Sequence, residues 1–296
     1  MSKMRIEYDS MGKVQVPDDV YYQAQTQRAR DNFQFSERRF PTPAILALLD
    51  IKSAAAQANS QLGLLDSAMA KAIQQAIIAA KKLDFSQHFP IDLFQTGSGT
   101  SSNMNVNEVI ASLASDILQA KVHPNDHVNM GQSSNDVVPA CIHISTVRQL
   151  KGLLYPAIKG LNDRLAFLAD EYSNTVKTGR THLMDAMPIT FGQELQCWQQ
   201  QLNSSQARIQ QVELSLHQLP LGGTAVGTGV NCDPNFAKLA CDDLQQQDKI
   251  PWQAAVMPAL YMSSQDHTLA MASALKGLAV TLLKIANDLR WMNSGP

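Results

Sequence analysis

Residues 132–172 read QSSNDVVPACIHISTVRQLKGLLYPAIKGLNDRLAFLADEY, and this stretch decides the fold class. Five polar residues precede a long run in which apolar residues recur at helical spacing. We predict a helix from about Asp136 to Tyr172, with a kink or break at Pro156, because proline disrupts the preceding helical turn. Globular helices average roughly 11 to 12 residues, so a helix of this length is typical of a bundle.

Two further segments of comparable length follow, at about 190–218 and 263–291. Upstream, the pattern predicts a helix over 43–62 opened by Pro43, a helix over 66–83 with Asp66 as N-cap, an irregular stretch over 84–102, and a helix over about 103–121. Strictly alternating β-branched runs are scarce. We therefore predict an all-α, mainly helical fold, in which a small helical N-terminal domain precedes a long-helix bundle.

Composition excludes several classes of protein. Of the 296 residues 45% are hydrophobic and 17% charged, which is enough to bury a sizeable core, and the formal net charge is −2. The sequence contains no basic stripe of the kind that would indicate a nucleic-acid partner. No run approaches roughly 18 to 20 uncharged apolar residues, so no membrane span is expected. Because the net charge is close to zero, a site for a small dianion would have to be built from local hydrogen-bond donors.

Cysteine usage and the N-terminal residues suggest a reducing compartment. The four cysteines are Cys141, Cys197, Cys232 and Cys241. None forms a CxxC pair, so neither a disulfide framework nor a metal cluster is expected. The opening residues MSKMRIEYDS lack the apolar core of a signal peptide. We expect a cytoplasmic protein.

The first polar loop, TGSGTSSNMN at 96–105, stands directly before a predicted helix. Its small residues allow close approach of a ligand, and its backbone N–H groups with the helix N-terminus would form an anion site. No Lys-Ser/Thr pair follows the glycines, which excludes a phosphate-binding P-loop. A simple Ser/Thr-rich helix cap is the alternative, and this loop alone does not decide between them.

The second loop, HPNDHVNMGQSSND at 123–136, has two parts. His123, Asn125 and Asp126 surround a proline, which fits an Asx-type turn before a helix. The QSSND part places more polar side chains before the long helix than capping needs. We interpret this surplus as ligand binding, with capping alone as the alternative.

The third and fourth loops differ in character. GRTHLMDAMP at 179–188 offers a cation, a hydroxyl and an imidazole, and histidine is suited to proton transfer near neutral pH. A single loop histidine is nevertheless more often only solvated. LGGTAVGTGVN at 221–231 is rich in small residues, and we interpret it as a close-packing turn.

Taken together, GSGTSSNMN, HPND, QSSND, GRTHLMDAMP and GGTAVGTG, in this order, resemble the fumarase/aspartase superfamily and more narrowly its iron-independent class II fumarases. The similarity extends from RIEYDSMGKVQVP, beginning at Arg5, to KIANDLRWM, ending at Met292. Aspartases typically carry GAGTS, QSTND and GRTQ at the matching places. Ser98, Ser134 and His182 therefore favour a fumarase.

The resemblance implies a hydro-lyase that reversibly hydrates fumarate to L-malate in the tricarboxylic acid cycle, by general acid/base catalysis through an aci-carboxylate intermediate. His182 would be the catalytic residue. The substrate-binding residues would be Ser98, Gly99, Thr100, Ser133, Ser134, Asn135 and Thr181. A second, accessory anion site would use His123, Asn125 and Asp126.

The same resemblance implies no metal, no other cofactor, and a small dicarboxylate substrate. It also implies a homotetramer in which three subunits share each site, with no nucleic-acid or membrane partner. The 98–102 loop, the 133–135 loop and His182 are then not expected to converge within one chain. Aspartate ammonia-lyase on the same scaffold and a non-catalytic dicarboxylate-binding scaffold protein are the alternatives.

The family pattern divides the chain into an N-terminal lyase domain, 1–132, and a central long-helix bundle domain, 133–296. The bundle would hold three of the family's five long helices, and the C-terminal domain would be absent. The family's later GSSxMPxKxN loop, which supplies a serine, a lysine and an asparagine, has no counterpart before Pro296. We therefore expect a truncated enzyme.

We predict that the 296-residue chain alone has no useful fumarase activity, because the proton-abstracting loop of the family has no counterpart in it. The measurement is the ultraviolet absorbance of fumarate after L-malate is added to the purified chain. No rise above a protein-free blank is expected. A rise proportional to protein concentration would contradict this prediction.

Overall fold

A computed structural model describes residues 3–294, and their fold is mainly helical, as predicted. The elements, in chain order, are β1 (Met4–Asp9), β2 (Gly12–Pro17), α1 (Ala24–Asn32), α2 (Thr42–Gln61), α3 (Ser67–Ala80), α4 (Phe85–His88), α5 (Thr100–Leu118), a π-helical turn (Pro124–Val128), α6 (Ser134–Gln149), a second π-helical turn (Leu150–Leu154), α7 (Tyr155–Glu171), β3 (Val176–Thr181), β4 (Met184–Thr190), α8 (Phe191–Leu216), β5 (Gln218–Leu219), α9 (Phe236–Asp248), β6 (Gln253–Ala254), α10 (Pro258–Ser263) and α11 (Asp266–Met292).

The chain forms two compact units. Unit 1 comprises the residues up to Ser145 together with His217–Gln265, and unit 2 comprises Thr146–Leu216 with the residues from Asp266 onward. These units do not follow the predicted boundary at 132/133, because α9 packs on α2 and so returns residues 217–265 to unit 1. The division into domains 1–132 and 133–296 remains a prediction, and its outermost residues, 1–2 and 295–296, lie outside the described part of the chain.

Unit 1 is built around α2, α3 and α5, which pack on one another. Alanines at 54, 55 and 58 on α2 are at most 1% exposed, and small side chains of this kind allow helices to approach closely. The predicted helix 43–62 is confirmed at Thr42–Gln61, with Pro43 in its first turn. The predicted helix 66–83 is confirmed at Ser67–Ala80, with Asp66 as its N-cap.

The segment 84–121 differs slightly from expectation. The stretch predicted to be irregular contains the short helix α4, capped by Asp84. Helix α5 begins at Thr100 rather than near residue 103 and ends at Leu118. The earlier start follows from Gly99, which takes the left-handed conformation at the N-cap position.

Short sheets were not predicted, and the structure contains three two-stranded ones within residues 3–294. β1 and β2 form an antiparallel hairpin in which Arg5 pairs with Val16. The Arg5 guanidinium donates to the carbonyl oxygens of Pro17, Val20 and Tyr22 at 2.7, 2.8 and 2.6 Å, which fixes the chain that leaves the hairpin. β5 and β6 form a parallel pair of two residues each.

The long helix predicted over 136–172 is interrupted as expected. α6 runs to Gln149, the π-helical turn Leu150–Leu154 follows, and α7 carries Pro156 in its first turn. Proline has no N–H to donate and its ring clashes with the carbonyl four residues earlier, so one extra residue per turn is accommodated just before it. The predicted break at Pro156 is confirmed.

Unit 2 contains an antiparallel helix pair of the coiled-coil type, in which Trp198 bonds to Asp288 and Ser205 bonds to Thr281. On α11 the buried positions are Met271, Leu278 and Ile285, which follow one another at intervals of seven. They pack on α8, whose buried positions are Gly192, Trp198, Leu202, Ser205, Ile209, Glu213 and Leu216. This spacing is the apolar seam of a left-handed helix pair. The predicted long helices at 190–218 and 263–291 are thereby confirmed.

The prediction of a loop over residues 179–188 is wrong, since most of these residues belong to the antiparallel hairpin β3–β4. Its register shifts between Thr178 and Arg180. A Cβ at Gly179 would lie 2.6 Å from the carbonyl oxygen of Met187, so only glycine fits at this irregularity. The alternation along 176–190 is weak because both faces are largely exposed.

One helix of the described residues, α11, is long and apolar enough to cross a membrane by length and composition alone. Its most apolar window has a mean hydropathy of 1.6, and 22% of that window is buried. The helix also carries Lys276, Lys284 and Asp288. Packing on α8 accounts for three of its apolar residues, Met271, Leu278 and Ile285.

Replacing Asp66 by alanine tests the predicted cap. The Asp66 carboxylate accepts from the N–H groups of Ala68 and Met69 at 2.9 and 3.1 Å. Loss of this cap is expected to reduce the free energy of unfolding by about 1 kcal/mol, measured by urea denaturation. Asp66→Asn keeps an oxygen acceptor and should remain within a few tenths of a kcal/mol of the parent chain. An equal loss in both variants would refute the capping explanation.

Candidate active site

The first polar loop lies against the start of α6. Gly99 has a φ of +69° and precedes α5. A Cβ at this position would lie 3.0 and 3.1 Å from the two γ-carbons of Val138. Glycine therefore meets two requirements at this position: it adopts the left-handed conformation, and it permits close contact with α6.

Hydroxyl groups stand on both sides of Gly99. The Ser98 and Thr100 oxygens are 2.7 Å apart, and Ser98 is exposed. Below them the Gln95 amide bonds both the backbone N–H and the hydroxyl of Ser102, at 2.8 and 2.7 Å. The loop is thus held rigidly from inside while Ser98 faces outward at the N-terminus of α5, which carries partial positive charge.

The QSSND segment divides its side chains between capping and other roles. Ser133 and Asp136 form a capping box, in which the Ser133 hydroxyl accepts from the Asn135 N–H at 3.2 Å and the Asp136 carboxylate accepts from the Ser133 N–H at 2.9 Å. The Ser134 hydroxyl is buried and accepts from the Asn103 amide at 3.0 Å. Asn135 is exposed, so two of the four polar side chains after Gln132 exceed what capping requires.

The fourth loop is a close-packing turn, as interpreted from its composition. A Cβ at Gly223 would lie 2.6 Å from Cβ of Pro258, and one at Gly227 would lie 2.6 Å from Cα of Ala259. These contacts seat the loop directly on α10. The Thr224 N–H donates to the Asp136 carboxylate at 2.8 Å, which joins the same loop to the capping box of α6.

These loops enclose a cavity of about 650 Å³ within unit 1. Ser98 and Asn135 line it, and the Asn135 amide is fixed by donating to the Ala225 carbonyl at 2.8 Å. Its remaining wall is largely apolar and includes Val138 and Met262. The structure therefore brings residues of the first and second loops to one cavity. The α10 wall was not predicted, because its position depends on contacts with glycines distant in sequence.

Thr181 and His182 lie in unit 2, at the tip of the β3–β4 hairpin. His182 and Leu183 form the two-residue turn, with φ of +51° and +63°. Both positive values are those of a type I′ turn, which normally requires Asn or Gly. Left-handed conformations at such residues are strained, and strained backbone is concentrated at functional sites. The imidazole is exposed.

The HPND residues cap the first π-helical turn. The His123 Nδ1 atom accepts from the N–H groups of Asn125 and Asp126 at 3.3 and 3.1 Å, and lies 3.2 Å from the Asp126 carboxylate. The Asx-like turn interpretation describes this geometry. His123 and Asn125 also line a separate cavity of about 450 Å³ in unit 1, together with Lys121. The accessory anion site remains a prediction.

A buried lysine beneath the second loop was missed by the sequence analysis. Lys52 on α2 is 0% exposed, and burial lowers the pKa of its ammonium to about 7, an effect opposed by the nearby Asp136 carboxylate. Burial raises the pKa of Asp136 to about 6. The hydrogen bonds from the backbone N–H groups of Ser133 and Thr224 and the charge of Lys52 act in the opposite direction and lower it. Only its helical periodicity on α2 could have indicated that Lys52 points inward.

Within residues 3–294, no three His, Cys, Asp or Glu side chains are grouped so that they could hold a metal ion. The donors at the cavity are hydroxyl and amide groups, which suit hydrogen bonding to an anion.

The chain is similar to known lyases over most of its length. A family model described as lyase matches residues 12–296. The chain belongs to this lyase family. It is 50% identical over 294 residues to a class II fumarate hydratase of Xylella fastidiosa, covering 99% of this chain and 62% of that protein. It is 50% identical over 296 residues to class II fumarate hydratase 2 of Pseudomonas aeruginosa, covering 100% of this chain and 65% of that protein.

Among solved structures, a class II fumarase from Schistosoma mansoni has the same fold, with a TM-score of 0.96 and 34% identity over 99% of this chain and 66% of that chain. The resemblance to class II fumarases that the loop motifs indicated is thus confirmed. The chain spans less than two thirds of the length of these relatives.

Gly99→Ala tests whether the first loop depends on its contact with α6. We expect the free energy of unfolding to fall by about 1 to 2 kcal/mol from the left-handed φ alone, with a further loss from the Val138 contact. Adding Val138→Ala should recover that further part, as a coupling energy in a double-mutant cycle measured by denaturation. Gly97→Ala is the matched control, since a Cβ at that position would meet no atom within 4 Å. Equal losses at positions 97 and 99 would contradict this account.

Proposed function

We propose that the protein of which these residues are part catalyses the reversible hydration of fumarate to L-malate. The observation that supports this most directly is the cavity that the two loops share. Ser98 at the start of α5 and Asn135 at the start of α6 both line it, and the close contact between Gly99 and Val138 keeps the two helix starts together. Similarity over the whole chain to class II fumarate hydratases supports the same reaction.

The chemistry of the substrate explains why such donors are needed. Loss of the poorly acidic C3 proton of malate leaves a carbanion that is held as an aci-carboxylate, so one carboxylate gains charge in the transition state. Two helix N-termini and neutral hydroxyl and amide donors can stabilise that charge without a cation. We assign substrate binding to Ser98, Gly99, Thr100, Ser133, Ser134, Asn135 and Thr181.

We assign general acid/base catalysis to His182, since its imidazole is exposed at a strained turn and suited to proton transfer near neutral pH. The hairpin that carries it also exposes large apolar side chains, with Leu183, Met184 and Met187 between 67% and 77% exposed. Apolar surface of this kind indicates a contact with another chain. This surface and the resemblance to class II fumarases together support our proposal of a homotetramer in which three subunits share each site.

Exposed apolar residues on α11 support the same assembly. Leu269, Val280, Leu283 and Trp291 are each more than half exposed. Burying them against other copies would stabilise the assembly by about 25 cal/mol per Å². The accessory anion site at His123, Asn125 and Asp126, the location in the cytoplasm and the place in the tricarboxylic acid cycle are further parts of this proposal.

The proposal is tested by calorimetric titration of the chain with L-malate and fumarate. We expect Ser98→Ala and Asn135→Ala each to weaken L-malate binding by about tenfold, corresponding to about 1.4 kcal/mol for a lost hydrogen bond to a charged group. Ser67→Ala is the matched control, because Ser67 is also exposed in the first turn of a helix.

L-Aspartate serves as the competing ligand, and weaker binding than L-malate is expected. Tighter binding of L-aspartate would favour the ammonia-lyase alternative. Absence of any dicarboxylate binding, or equal binding by Ser98→Ala and the parent chain, would refute the assignment of this cavity.

A further inference from the structure

Three hydrogen-bond donors converge on one amide oxygen behind the cavity. The Asn129 side-chain oxygen accepts from the Lys52 ammonium at 2.8 Å and from the amides of Asn103 and Asn107 at 3.3 and 3.2 Å. The three donors come from two helices, α2 and α5, and each is at most 1% exposed. Asn129 lies between the first π-helical turn and α6, so this oxygen joins three parts of unit 1.

Lys52 also fixes the turn that leads into α6. Its ammonium donates to the Gln132 side-chain oxygen at 2.9 Å. The Gln132 amide nitrogen donates in turn to the carbonyl oxygens of Val128 and Met130, both at 3.2 Å, and the Asn129 amide nitrogen donates to the Gln132 carbonyl at 3.2 Å. Both amides that shape residues 128–132 are therefore held by one ammonium group.

The same network reaches the two helix starts that line the cavity. Asn103 lies one turn into α5, and its backbone N–H donates to the Gly99 carbonyl at 3.2 Å. Its side-chain amide donates to the Ser134 hydroxyl at 3.0 Å. A displacement of Asn129 would therefore move the N-termini of α5 and α6 relative to each other.

The desolvation cost of the buried Lys52 ammonium indicates that this residue has a role beyond stabilising the fold. A fully buried ammonium loses its hydration, and neutral amide oxygens compensate it only in part. A methionine would fill nearly the same volume without that cost. The positive charge is, however, of the sign that favours a dianion at the two helix N-termini above it, and a nearby opposite charge is Asp136 of the α6 capping box.

We propose that Lys52 is a positioning residue: through Asn129 and Gln132 its buried ammonium holds the N-termini of α5 and α6 in the arrangement that binds the substrate carboxylates. This inference rests on the proposed function for its ligand, a dicarboxylate, but the positioning itself is a property of the folded chain. Lys52 does not line the cavity, and it acts only through the two amides.

The test compares Lys52→Met with Ile73→Ala in the full 296-residue chain. Ile73 is 0% exposed on α3, a helix that carries none of the proposed site residues, so its truncation lowers stability without removing any hydrogen bond of the network. The first readout is amide hydrogen exchange at Gln132 and Ser133, whose N–H groups bond to the Asn129 carbonyl and the Asp136 carboxylate, with Ala70 as a reporter of α3.

Lys52→Met is expected to speed exchange at Gln132 and Ser133 by about tenfold or more relative to Ala70, because loss of the ammonium opens the turn locally. Ile73→Ala should speed Ala70 at least as much as the two loop amides. Loop exchange unchanged by Lys52→Met, or raised equally by Ile73→Ala, would overturn the positioning role. If Lys52→Met does not fold, Lys52→Gln, which removes the ammonium group but keeps a polar side chain and leaves Asn129 and Gln132 intact, decides by the same readout.

The second readout is calorimetric binding of L-malate at a temperature at which all variants are folded. Lys52→Met should weaken binding by about tenfold, whereas Ile73→Ala should stay within about twofold of the parent chain. Unchanged malate affinity in Lys52→Met would overturn the link to the site. A parent chain that binds no dicarboxylate would refute the proposed function instead, while the exchange readout would still decide whether Lys52 positions the loops.

Discussion

The approach of two helix starts, α5 and α6, is the constraint on which the candidate site depends. Each start carries partial positive charge, so two of them side by side form an environment suited to an anion. They can approach because position 99 has no Cβ, and the two γ-carbons of Val138 occupy the space that one would need. A larger residue there would separate the hydroxyl of Ser98 from the amide of Asn135, which line the same cavity.

Polar groups buried beneath this surface keep the arrangement specific. An apolar core alone tolerates small shifts of one helix along another, whereas hydrogen bonds lose most of their energy when donor and acceptor move apart. The amide oxygen of Asn129, reached by donors from α2 and α5, is therefore a more exact reference point than the surrounding alanines and leucines. The chain accepts the desolvation of Lys52 at this point, which is unusual for a lysine.

The β3–β4 hairpin in unit 2 differs from this buried network of hydrogen bonds. It has an exposed two-residue turn, His182–Leu183, in the left-handed conformation that is uncommon for residues other than glycine. Strain of this kind persists only where the flanking strands enforce it, as the antiparallel pairing of β3 and β4 does here. The apolar surface around the tip and along α11 gives both parts of unit 2 a physical reason to be covered in an assembly.

Interactions within one helical turn made much of this protein predictable from its sequence. The start of α2, the cap at Asp66 and the break before Pro156 are of this kind, and the loop motifs were specific enough to indicate the family. The sequence by itself thus determined where most helices lie, the mainly helical class and the polar loops at helix ends.

Contacts between distant residues decided the return of 217–265 to unit 1, the α10 wall and the inward direction of Lys52. The β3–β4 hairpin gave no local signal because both of its faces are largely exposed. Only the tertiary structure could show that two loops with ordinary capping residues share one cavity, because a cavity is defined by the distance between elements and a sequence specifies only their order.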